Sequence, residues 1–233
     1  MKIDLKKQLP DYAPPRGAFE LVHVPARRYL AIDGEGDPNT AVAYLDAVRT
    51  IYAMAYRLKA LSKAGLERDY VVMPLEALWS ADDATAFTTA RDKSRWRWTV
   101  LNLVPDWITD DLLDAARTAL DRKGDVPMLD ALRVETIEEG LVAQTLHIGS
   151  YDDEAPVLAA MHDGFIPSQS LRMTGRHHEI YLSDARRTAP ERLRTILRQP
   201  VERRERRAAR SAPDARLRRA AHFTLPASSP DTM

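Results

Sequence analysis

A short segment near the carboxyl end of the chain carries the residue types best suited to chemistry. In the sequence HHEIYL, residues 177–182, the side chains of a strand alternate between faces, so His177, Glu179 and Tyr181 share one face. A strand centre avoids charge unless that face is wet or forms a site. A partly buried carboxylate there can pair with a cationic ligand, or accept a proton from a water that attacks a bound electrophile. The alternative, an exposed glutamate paired with a surface arginine, stays open on residue types alone.

The four tryptophans of the chain, all in its middle third, could form an aromatic wall. Trp96 and Trp98 are two residues apart on a predicted strand and therefore share a face, and Trp79 ends the preceding strand. Flat, rigid indoles stack on flat ligands and on cations. We interpret Trp79 and Trp98 as candidate ligand contacts, with a core role as the open alternative. Trp107 is more typical of a core residue.

Two weaker candidates lie on or after predicted strands. Glu76 is a second carboxylate, which strict alternation places on the face opposite Trp79, although a bulge at Pro74 would reverse its direction. Tyr151 follows a predicted strand end and could reach the rim of a site on the same sheet. Both are retained as candidate ligand contacts.

The histidines raise the question of a metal. His147, His177 and Glu179 can share a sheet face, which is the composition of a two-histidine, one-carboxylate site. His177 and His178 are adjacent in a strand and point to opposite faces, so they cannot chelate together. Because no metal-ligand spacing supports the set, we predict no metal and keep His147 and His177 as candidate ligand contacts. The sequence also lacks the glycine-rich loops of nucleotide sites and the known nucleophile and zinc motifs.

The composition excludes several classes of function. No cysteine occurs among the 233 residues, which excludes disulfides, thiolate metal ligands and a cysteine nucleophile. Basic and acidic residues balance at 34 each, so nucleic acid is not an expected partner. The amino-terminal residues lack the apolar run of a signal peptide, and no stretch approaches the roughly 18 apolar residues of a membrane span. We expect a cytoplasmic protein without membrane contact, and the sequence leaves its oligomeric state open.

The predicted elements that position these side chains occur in a repeated order. A strand, a turn rich in glycine and acidic residues, a helix and two further strands follow one another over residues 29–104, and the order recurs over residues 141–198. The clearest helices cover residues 40–61, with an apolar stripe, and residues 109–123, for which Thr109 is a favourable N-cap. Shorter elements are expected as a helix at 155–162 and as strands at 70–79, 95–104, 133–148, 177–182 and 195–198.

Four stretches of the sequence, in the same order, resemble the GyrI-like small-molecule-binding family, in particular its stand-alone members. They are MPLEALWSADD at 73–83, RWRWTVLNLVPDWIT at 95–109, GLVAQTLHIGSYDDE at 140–154 and GRHHEIYLSDARRTAPERLRTILRQPV at 175–201. The resemblance spans about residues 18–201. The combination is specific, although no single stretch would be.

This resemblance implies an α+β fold of two βαββ (SHS2-type) repeats, related by a pseudo-two-fold axis around a central ligand groove. It implies binding of flat, hydrophobic and often cationic molecules, without a cofactor. Some similar stand-alone members hydrolyse cyclopropane-bearing DNA alkylators. Others are drug-sensing domains of transcription regulators or antagonists of gyrase poisons. A non-catalytic role in drug binding, sequestration, sensing or gyrase protection is therefore the alternative to hydrolysis.

On the hydrolytic interpretation each candidate residue has a role. Glu179 guides the attacking water, Tyr181 donates a proton or positions the ligand, and Trp79 and Trp98 hold the ring system. The interpretation assumes that helices cover one face of the sheet and that these residues line the other.

The chain divides into three predicted parts. Residues 1–17 are polar and contain prolines, and are expected to form a flexible arm. Residues 18–201 form the domain. Residues 202–233 are rich in arginine and poor in large apolar residues, and are expected to be a disordered, solvated tail rather than a nucleic-acid-binding segment.

Overall fold

An antiparallel β-sheet runs through the part of the chain that the structure, a computed structural model, describes: residues 2–81 and 92–204. The strands are β1 (Glu20–Val24), β2 (Arg27–Glu35), β3 (Leu75–Ser80), β4 (Arg97–Leu103), β5 (Arg133–Ile137), β6 (Gly140–Ile148), β7 (Leu171–Met173), β8 (His177–Tyr181) and β9 (Arg194–Arg203). The helices are α1 (Val42–Gly65), α2 (Asp110–Asp121), α3 (Ala155–Ala159) and α4 (Ile166–Ser168), with a π-helical turn at Ala160–Phe165.

The strands lie in the order β1-β6-β9-β8-β3-β4-β2-β5, and β7 pairs with β9. The chain thus folds as a mixed α and β domain with a large antiparallel sheet. The central pair, β3 with β8, joins a half built mostly from residues 27–103 to a half built mostly from residues 140–203. Glu179 lies on β8, at this junction.

The long helices form where the sequence predicts them. In α1 the predicted apolar stripe is buried at Ile51, Ala55 and Leu58. These side chains lie in the core cluster that α1 shares with the sheet. In α2 the side-chain oxygen of Thr109 accepts a hydrogen bond from the amide of Leu112 at 3.4 Å, as expected of an N-cap.

Several element bounds and one helix type differ from the sequence prediction. The single strand predicted at 133–148 is divided into β5 and β6. β3 begins only at Leu75, directly after Pro74, because a proline supplies no amide to the ladder. β9 continues beyond residue 199, since Pro200 pairs with Val142 and uses its carbonyl oxygen to accept a hydrogen bond from the amide of Thr174 at 2.9 Å. The predicted helix at 155–162 is one α-helical turn followed by the π-helical turn.

The helices pack on the face of the sheet that carries Glu179. Residues Val100, Ala77, Glu179 and Leu197 lie opposite one another across β4, β3, β8 and β9, and so share one face. Helix α1 packs on Ala77 and Val100, and the α3–α4 segment packs on Leu197. We call this the helix face. The assumption that the candidate residues line the face away from the helices is wrong.

The opposite, or reverse, face is covered by the amino-terminal segment. Two short 3₁₀ turns at Leu5–Lys7 and Pro10–Tyr12 bring Leu5, Leu9 and Tyr12 against the apolar side chains of the sheet. Tyr12 is buried. Residues 2–17, which the sequence predicts as a flexible arm, are held against the sheet in this structure by a few apolar side chains and one phenol. The predicted tail, apart from residues 202–204, lies outside the described residues.

A set of charged side chains is enclosed beneath this segment, and we call it the reverse-face network. It contains three carboxyl groups and three basic groups, from Asp11, Glu76, Glu139, Arg27, His178 and Arg198. The ring nitrogens of His178 lie 3.0 Å from Glu76 Oε2 and 3.0 Å from Glu139 Oε1. The guanidinium of Arg198, fully buried, lies 2.7 Å from Glu139 Oε2 and 3.0 Å from Asp11 Oδ2.

Further hydrogen bonds close the network. Arg27 binds both oxygens of Asp11 at 2.7 Å, and the hydroxyl of Tyr12 donates to Glu76 Oε1 at 2.6 Å. The Nε of Arg198 donates to Gln144 at 2.9 Å. Buried charges are tolerated when they are paired and hydrogen-bonded in this way, whereas loss of one partner leaves an uncompensated charge.

The network shifts the pKa values of its members in opposite directions. Burial by itself would lower the pKa of His178, but the charge and hydrogen bond of Glu139 and the contact with Glu76 raise it to about 9. Burial would raise the pKa of Glu139, but the charges and hydrogen bonds of His178 and Arg198 lower it to about 2. His178 is thus an imidazolium at neutral pH, and Glu139 is a carboxylate.

The packing of β2 against β4 depends on one glycine. Gly34 lies opposite Trp98, and a β-carbon at Gly34 would be 2.1 Å from the six-membered ring of this indole. The indole therefore lies flat over the backbone of β2, which only glycine allows.

The network predicts a pH dependence of stability. Because the pKa of His178 is raised in the fold, its contribution is complete below its ordinary pKa of 6.5 and is lost as the pH rises through about 9. We expect the free energy of unfolding to fall by on the order of 3 kcal/mol over this window. In His178→Gln this fall should disappear, although the variant is less stable at pH 6.5. Denaturant unfolding at several pH values measures both curves. His23→Gln, at an exposed position, is the control and should give the wild-type dependence of the free energy of unfolding on pH. Parallel curves for His178→Gln and the wild type would show that His178 is uncharged in the fold.

The glycine contact predicts a steric cost. Gly34→Ala should lower the free energy of unfolding by about 2 kcal/mol, because the indole of Trp98 must move. In a Trp98→Leu background the same change should cost much less. Gly65→Ala is the matched control, since nothing lies within 4 Å of a β-carbon there and the change should be neutral or slightly stabilising. Equal costs in the two backgrounds would contradict the contact.

Candidate functional site

A row of rings crosses three strands on the helix face. Trp98, Trp79 and His177 lie side by side on β4, β3 and β8, because Trp98 pairs with Trp79 and Trp79 pairs with His177 in the sheet register. Tyr44, from the first turn of α1, covers the row. Its ring centroid is 5.1 Å from that of Trp98, edge-on, and 6.1 Å from that of Trp79, stacked. Trp96 contacts Trp79 edge-on at 5.4 Å. These rings form an aromatic cluster of the kind that receives flat or cationic molecules.

A hydrogen-bonded chain connects the aromatic cluster to the carboxylate. The indole Nε1 of Trp79 donates to the hydroxyl of Tyr181 at 3.1 Å, and this hydroxyl donates to Glu179 Oε2 at 2.7 Å. Only 13% of the Glu179 side chain is exposed. A carboxylate held by a phenol and placed against indoles can compensate a ligand cation or accept a proton.

Two histidines complete this side of the site. His177 Nε2 lies 3.5 Å from Glu179 Oε1, within ion-pair range. The ring of His162, carried by the π-helical turn, meets the ring of His177 edge-on with centroids 6.0 Å apart. On the other side Tyr151 meets Tyr181 edge-on at 5.6 Å. Residues from α1, from the turn after β6 and from the π-helical turn thus converge on Glu179 where β3 meets β8.

The surroundings favour the uncharged forms of the rings. Burial raises the pKa of Tyr181 well above its usual value, and the neighbouring charge of Glu179 adds to the effect. Burial, followed by the charges of Glu154 and Glu179, raises the pKa of Tyr151 to about 12. Burial, followed by the proximity of His177, lowers the pKa of His162 to about 4. At neutral pH the phenols are protonated and His162 is neutral.

The site is closed in this structure. Trp98 is 1% and Trp79 4% exposed, and two cavities in the described residues lie elsewhere. One, of about 190 Å³, lies between α2 and β5, and the other, of about 650 Å³, lies between α1 and α2. Neither contains an aromatic cluster beside a buried carboxylate. We therefore assign the site from its chemistry and not from its open volume.

The structure brings together most of the residues that the sequence singles out. Contacts link Glu179, Tyr181, Trp79, His177 and Tyr151 into one continuous group. Trp98 extends the same row of rings.

Two other sequence candidates lie elsewhere, and Trp107 is in the core. Glu76 follows strict alternation, with no reversal at Pro74, and lies in the reverse-face network, so it is removed from the candidate site. His147 is on the helix face, but its Nε2 contacts the carbonyl oxygen of Ser150 at 3.1 Å. Trp107 packs against Tyr70 and donates to Ser62, consistent with a core residue.

Sequence reasoning missed Tyr44 and His162. Tyr44 belongs to the apolar stripe of α1, and such a stripe indicates core packing, not a ligand contact. His162 lies in a segment predicted as an ordinary helix. Two signals were available in the sequence. Tyr44 is an aromatic residue at the start of a helix that follows a strand, and His162 is a histidine in the equivalent helix of the second half.

No group of three potential metal ligands is arranged for a cation among residues 2–81 and 92–204. Within the same residues, no helix has the length and apolar character that crossing a membrane requires.

Comparisons with known proteins agree with this architecture. A family model for GyrI-like small-molecule-binding domains matches residues 18–202. An uncharacterized conserved protein from Listeria innocua is 37% identical, with a TM-score of 0.78, and the match covers 86% of this chain and 100% of that chain.

Two structures from Listeria innocua that are described as hydrolases are similarly close. One is 36% identical with a TM-score of 0.73, covering 86% of this chain and 100% of that chain. The other is 35% identical with a TM-score of 0.76, covering 87% and 100%. No match to the chain is found among curated proteins. The family model and these three structures together show that the chain belongs to the family of GyrI-like small-molecule-binding domains.

Proposed function

We propose that this protein binds a flat, hydrophobic molecule that is cationic or electrophilic at the site around Glu179, and that it hydrolyses cyclopropane-type alkylators. The observation that carries the proposal is the buried carboxylate of Glu179, held by Tyr181 and set against the indole of Trp79. Such a carboxylate has little structural reason to lie among rings. A pocket of aromatic faces with one negative charge favours flat ligands that are short of electrons.

The proposed reaction uses the carboxylate as a general base. A water attacks one carbon of the strained ring, the new C–O bond forms, and the C–C bond of the cyclopropane breaks. Its electron pair moves into the conjugated ring system and ends as a phenolate, while Glu179 takes the proton of the water. Protonation of the phenolate by this proton restores the enzyme. The atoms and charges balance without a metal or an organic cofactor.

The geometry favours a positioning role for Tyr181. Its hydroxyl proton is directed to Glu179 Oε2, while Trp79 Nε1 donates to its oxygen. Tyr181 therefore fixes the direction of the carboxylate. Trp79 and Tyr44 would flank the bound ring system, since they already stack on each other with centroids 6.1 Å apart.

Entry of a ligand requires the site to open. The outermost ring is that of Tyr151, which is 37% exposed and rests edge-on against Tyr181. We infer that displacement of Tyr151 and the turn that carries it admits the ligand.

The two Listeria innocua structures described as hydrolases, both more than a third identical to this chain, support the catalytic form of the proposal. The absence of cysteine from all 233 residues is consistent with work in the cytoplasm. The proposed partner is a small molecule and not nucleic acid, because acidic and basic residues balance at 34 each. Detoxification for self-protection would be the purpose of such a reaction.

We also infer that the domain consists of two βαββ repeats related by a pseudo-two-fold axis. The order of elements supports it: β2, α1, β3 and β4 correspond to β6, α3, β8 and β9. When these partners are exchanged, along with β1 and β5, the strand order of the sheet reads the same from its other edge. The axis would then pass between β3 and β8, and the site would lie on it.

The second candidate function is binding without turnover. The aromatic cluster favours it, because stacked rings and one carboxylate are sufficient to hold an organic cation. Sequestration, sensing or protection of gyrase would all use such binding.

Incubation with a spirocyclopropane alkylator, followed by mass spectrometry of the small molecule, separates the two functions. A hydrated, ring-opened product formed over many turnovers supports catalysis. An intact alkylator that raises the melting temperature supports binding alone. An intact alkylator without any effect on the protein would contradict both.

Replacement of the proposed base tests its role. We expect Glu179→Gln to lower kcat by about 10²–10⁴-fold, because the amide cannot accept the proton of the water. Affinity for a neutral ligand should stay within several-fold. The alkylator assay and a binding titration measure the two effects. Glu191→Gln, at an exposed glutamate, should change neither. Equal losses of affinity and turnover would indicate that Glu179 only binds charge.

The aromatic wall predicts a spectroscopic signal. A bound aromatic cation should quench the tryptophan fluorescence, because Trp79, Trp96 and Trp98 surround the site. Trp79→Phe should remove a large part of the quenching and weaken binding. Trp107→Phe is the control, since Trp107 packs against Tyr70 and should leave the quenching unchanged. Unchanged binding and quenching in Trp79→Phe would remove Trp79 from the site.

A further inference from the structure

Three imidazole nitrogens at the site are buried without a hydrogen-bond partner among the described residues. They are both ring nitrogens of His177 and the Nε2 of His162. Buried polar atoms in proteins almost always have a partner, and an unpaired one costs about 1–3 kcal/mol. Trp98 Nε1, on the same face, also lacks a partner, and the carboxylate oxygen Oε1 of Glu179 is 3.5 Å from His177 Nε2. This arrangement is expected where a ligand supplies the missing partner.

The local backbone also departs from regular structure at this point. His162 lies in the π-helical turn Ala160–Phe165, within a segment that starts as an α-helix. Such turns occur often at functional sites, since the wider turn redirects side chains. Here the result is that the His162 ring meets the His177 ring edge-on at 81°.

The charge state of His162 limits what it can recognise. Burial lowers the pKa of His162 to about 4, so this ring is neutral at pH 7. A neutral imidazole offers one N–H donor and one acceptor nitrogen. An organic cation without N–H groups or oxygen atoms could satisfy neither atom. A flat ligand that carries an oxygen could accept the donor.

The proposed hydrolysis requires a donor, and Tyr181 and Trp79 do not supply it. Negative charge develops on the oxygen that becomes a phenolate, and a placed donor there stabilises the transition state. The proton of Tyr181 is directed to Glu179, and the indole N–H of Trp79 is directed to Tyr181. The ring nitrogens of His162 and His177 that lack a partner lie beside these residues, which makes the histidines candidates for this donor.

We propose that His162 and His177 form the polar end of the ligand site and select flat, conjugated molecules that carry a carbonyl or phenolic oxygen. This inference rests on the proposed function and specifies its substrate class. The ligand would lie with its ring system against Trp79 and its oxygen against the histidine pair. His162 touches the ligand, and His177 both touches it and lies next to the base.

Two probes of nearly the same shape test the proposal. Acridone is flat, neutral and carries a carbonyl oxygen, whereas 10-methylacridinium is flat, cationic and carries no hydrogen-bonding group. We expect His162→Phe and His177→Phe to weaken acridone binding by about tenfold, the loss of one hydrogen bond. Binding of 10-methylacridinium should stay within about twofold. His177→Gln, which keeps a donor, should recover part of the acridone affinity. Fluorescence titration gives the dissociation constants.

The controls separate this inference from the proposed function. His23→Phe, at an exposed histidine on β1, should leave both constants unchanged, and thermal melting checks that each variant folds. If one of the variants His162→Phe, His177→Phe and His177→Gln fails to fold, the other two still test the proposal. Equal weakening of both probes, or of neither, would overturn the selective role of the histidines while leaving a binding site in place. Wild-type protein that binds only 10-methylacridinium would also overturn it. Wild-type protein that binds neither probe would contradict the proposed function as well.

Discussion

The reverse-face network is the constraint on which the rest of the structure depends. It joins the amino-terminal segment through Asp11, the first half of the sheet through Glu76, and the second half through His178 and Arg198. Charges enclosed in this way are strongly coupled, because removal of one leaves its partner buried and unpaired. The junction between β3 and β8 is therefore held by ionic contacts on one face, which leaves the other face available for chemistry.

The network also specifies the register of β8. His178 and Glu179 are neighbours on this strand, and one points into the network while the other points into the aromatic cluster. A slip of one residue would exchange them, placing an imidazolium among the rings and a carboxylate among Glu76 and Glu139. Both exchanges are electrostatically unfavourable, so the ionic contacts of one face fix the position of the functional group on the other.

Local sequence patterns predicted most helices and strands of the fold. They could not predict the packing between residues that are far apart in the chain. Alternation placed Glu179 with Tyr181 and His177, and helical spacing found α1, because each signal lies within a few residues. The packing of Leu5 and Tyr12 under the sheet depends on residues far along the chain, and so does the approach of Tyr44 and His162 to the site. Alternation also cannot say which face receives the helices. For this reason the expected position of the helices was wrong, although His177, Glu179 and Tyr181 do share one face of the sheet as alternation predicts.

The hydrogen bond from Trp79 to Tyr181 has a consequence for the movement of protons. An indole can only donate, so the hydroxyl oxygen of Tyr181 accepts from it, and the hydroxyl donates to Glu179 Oε2. While this hydrogen bond is in place, Oε2 is occupied. A proton arriving at the carboxylate is then favoured at Oε1, the oxygen 3.5 Å from His177 Nε2. In the carboxylate of Glu179, Oε2 is thus held by Tyr181 and Oε1 is available for proton transfer. The hydrogen bond from the indole nitrogen of Trp79 to Tyr181 supports this difference between the two oxygens.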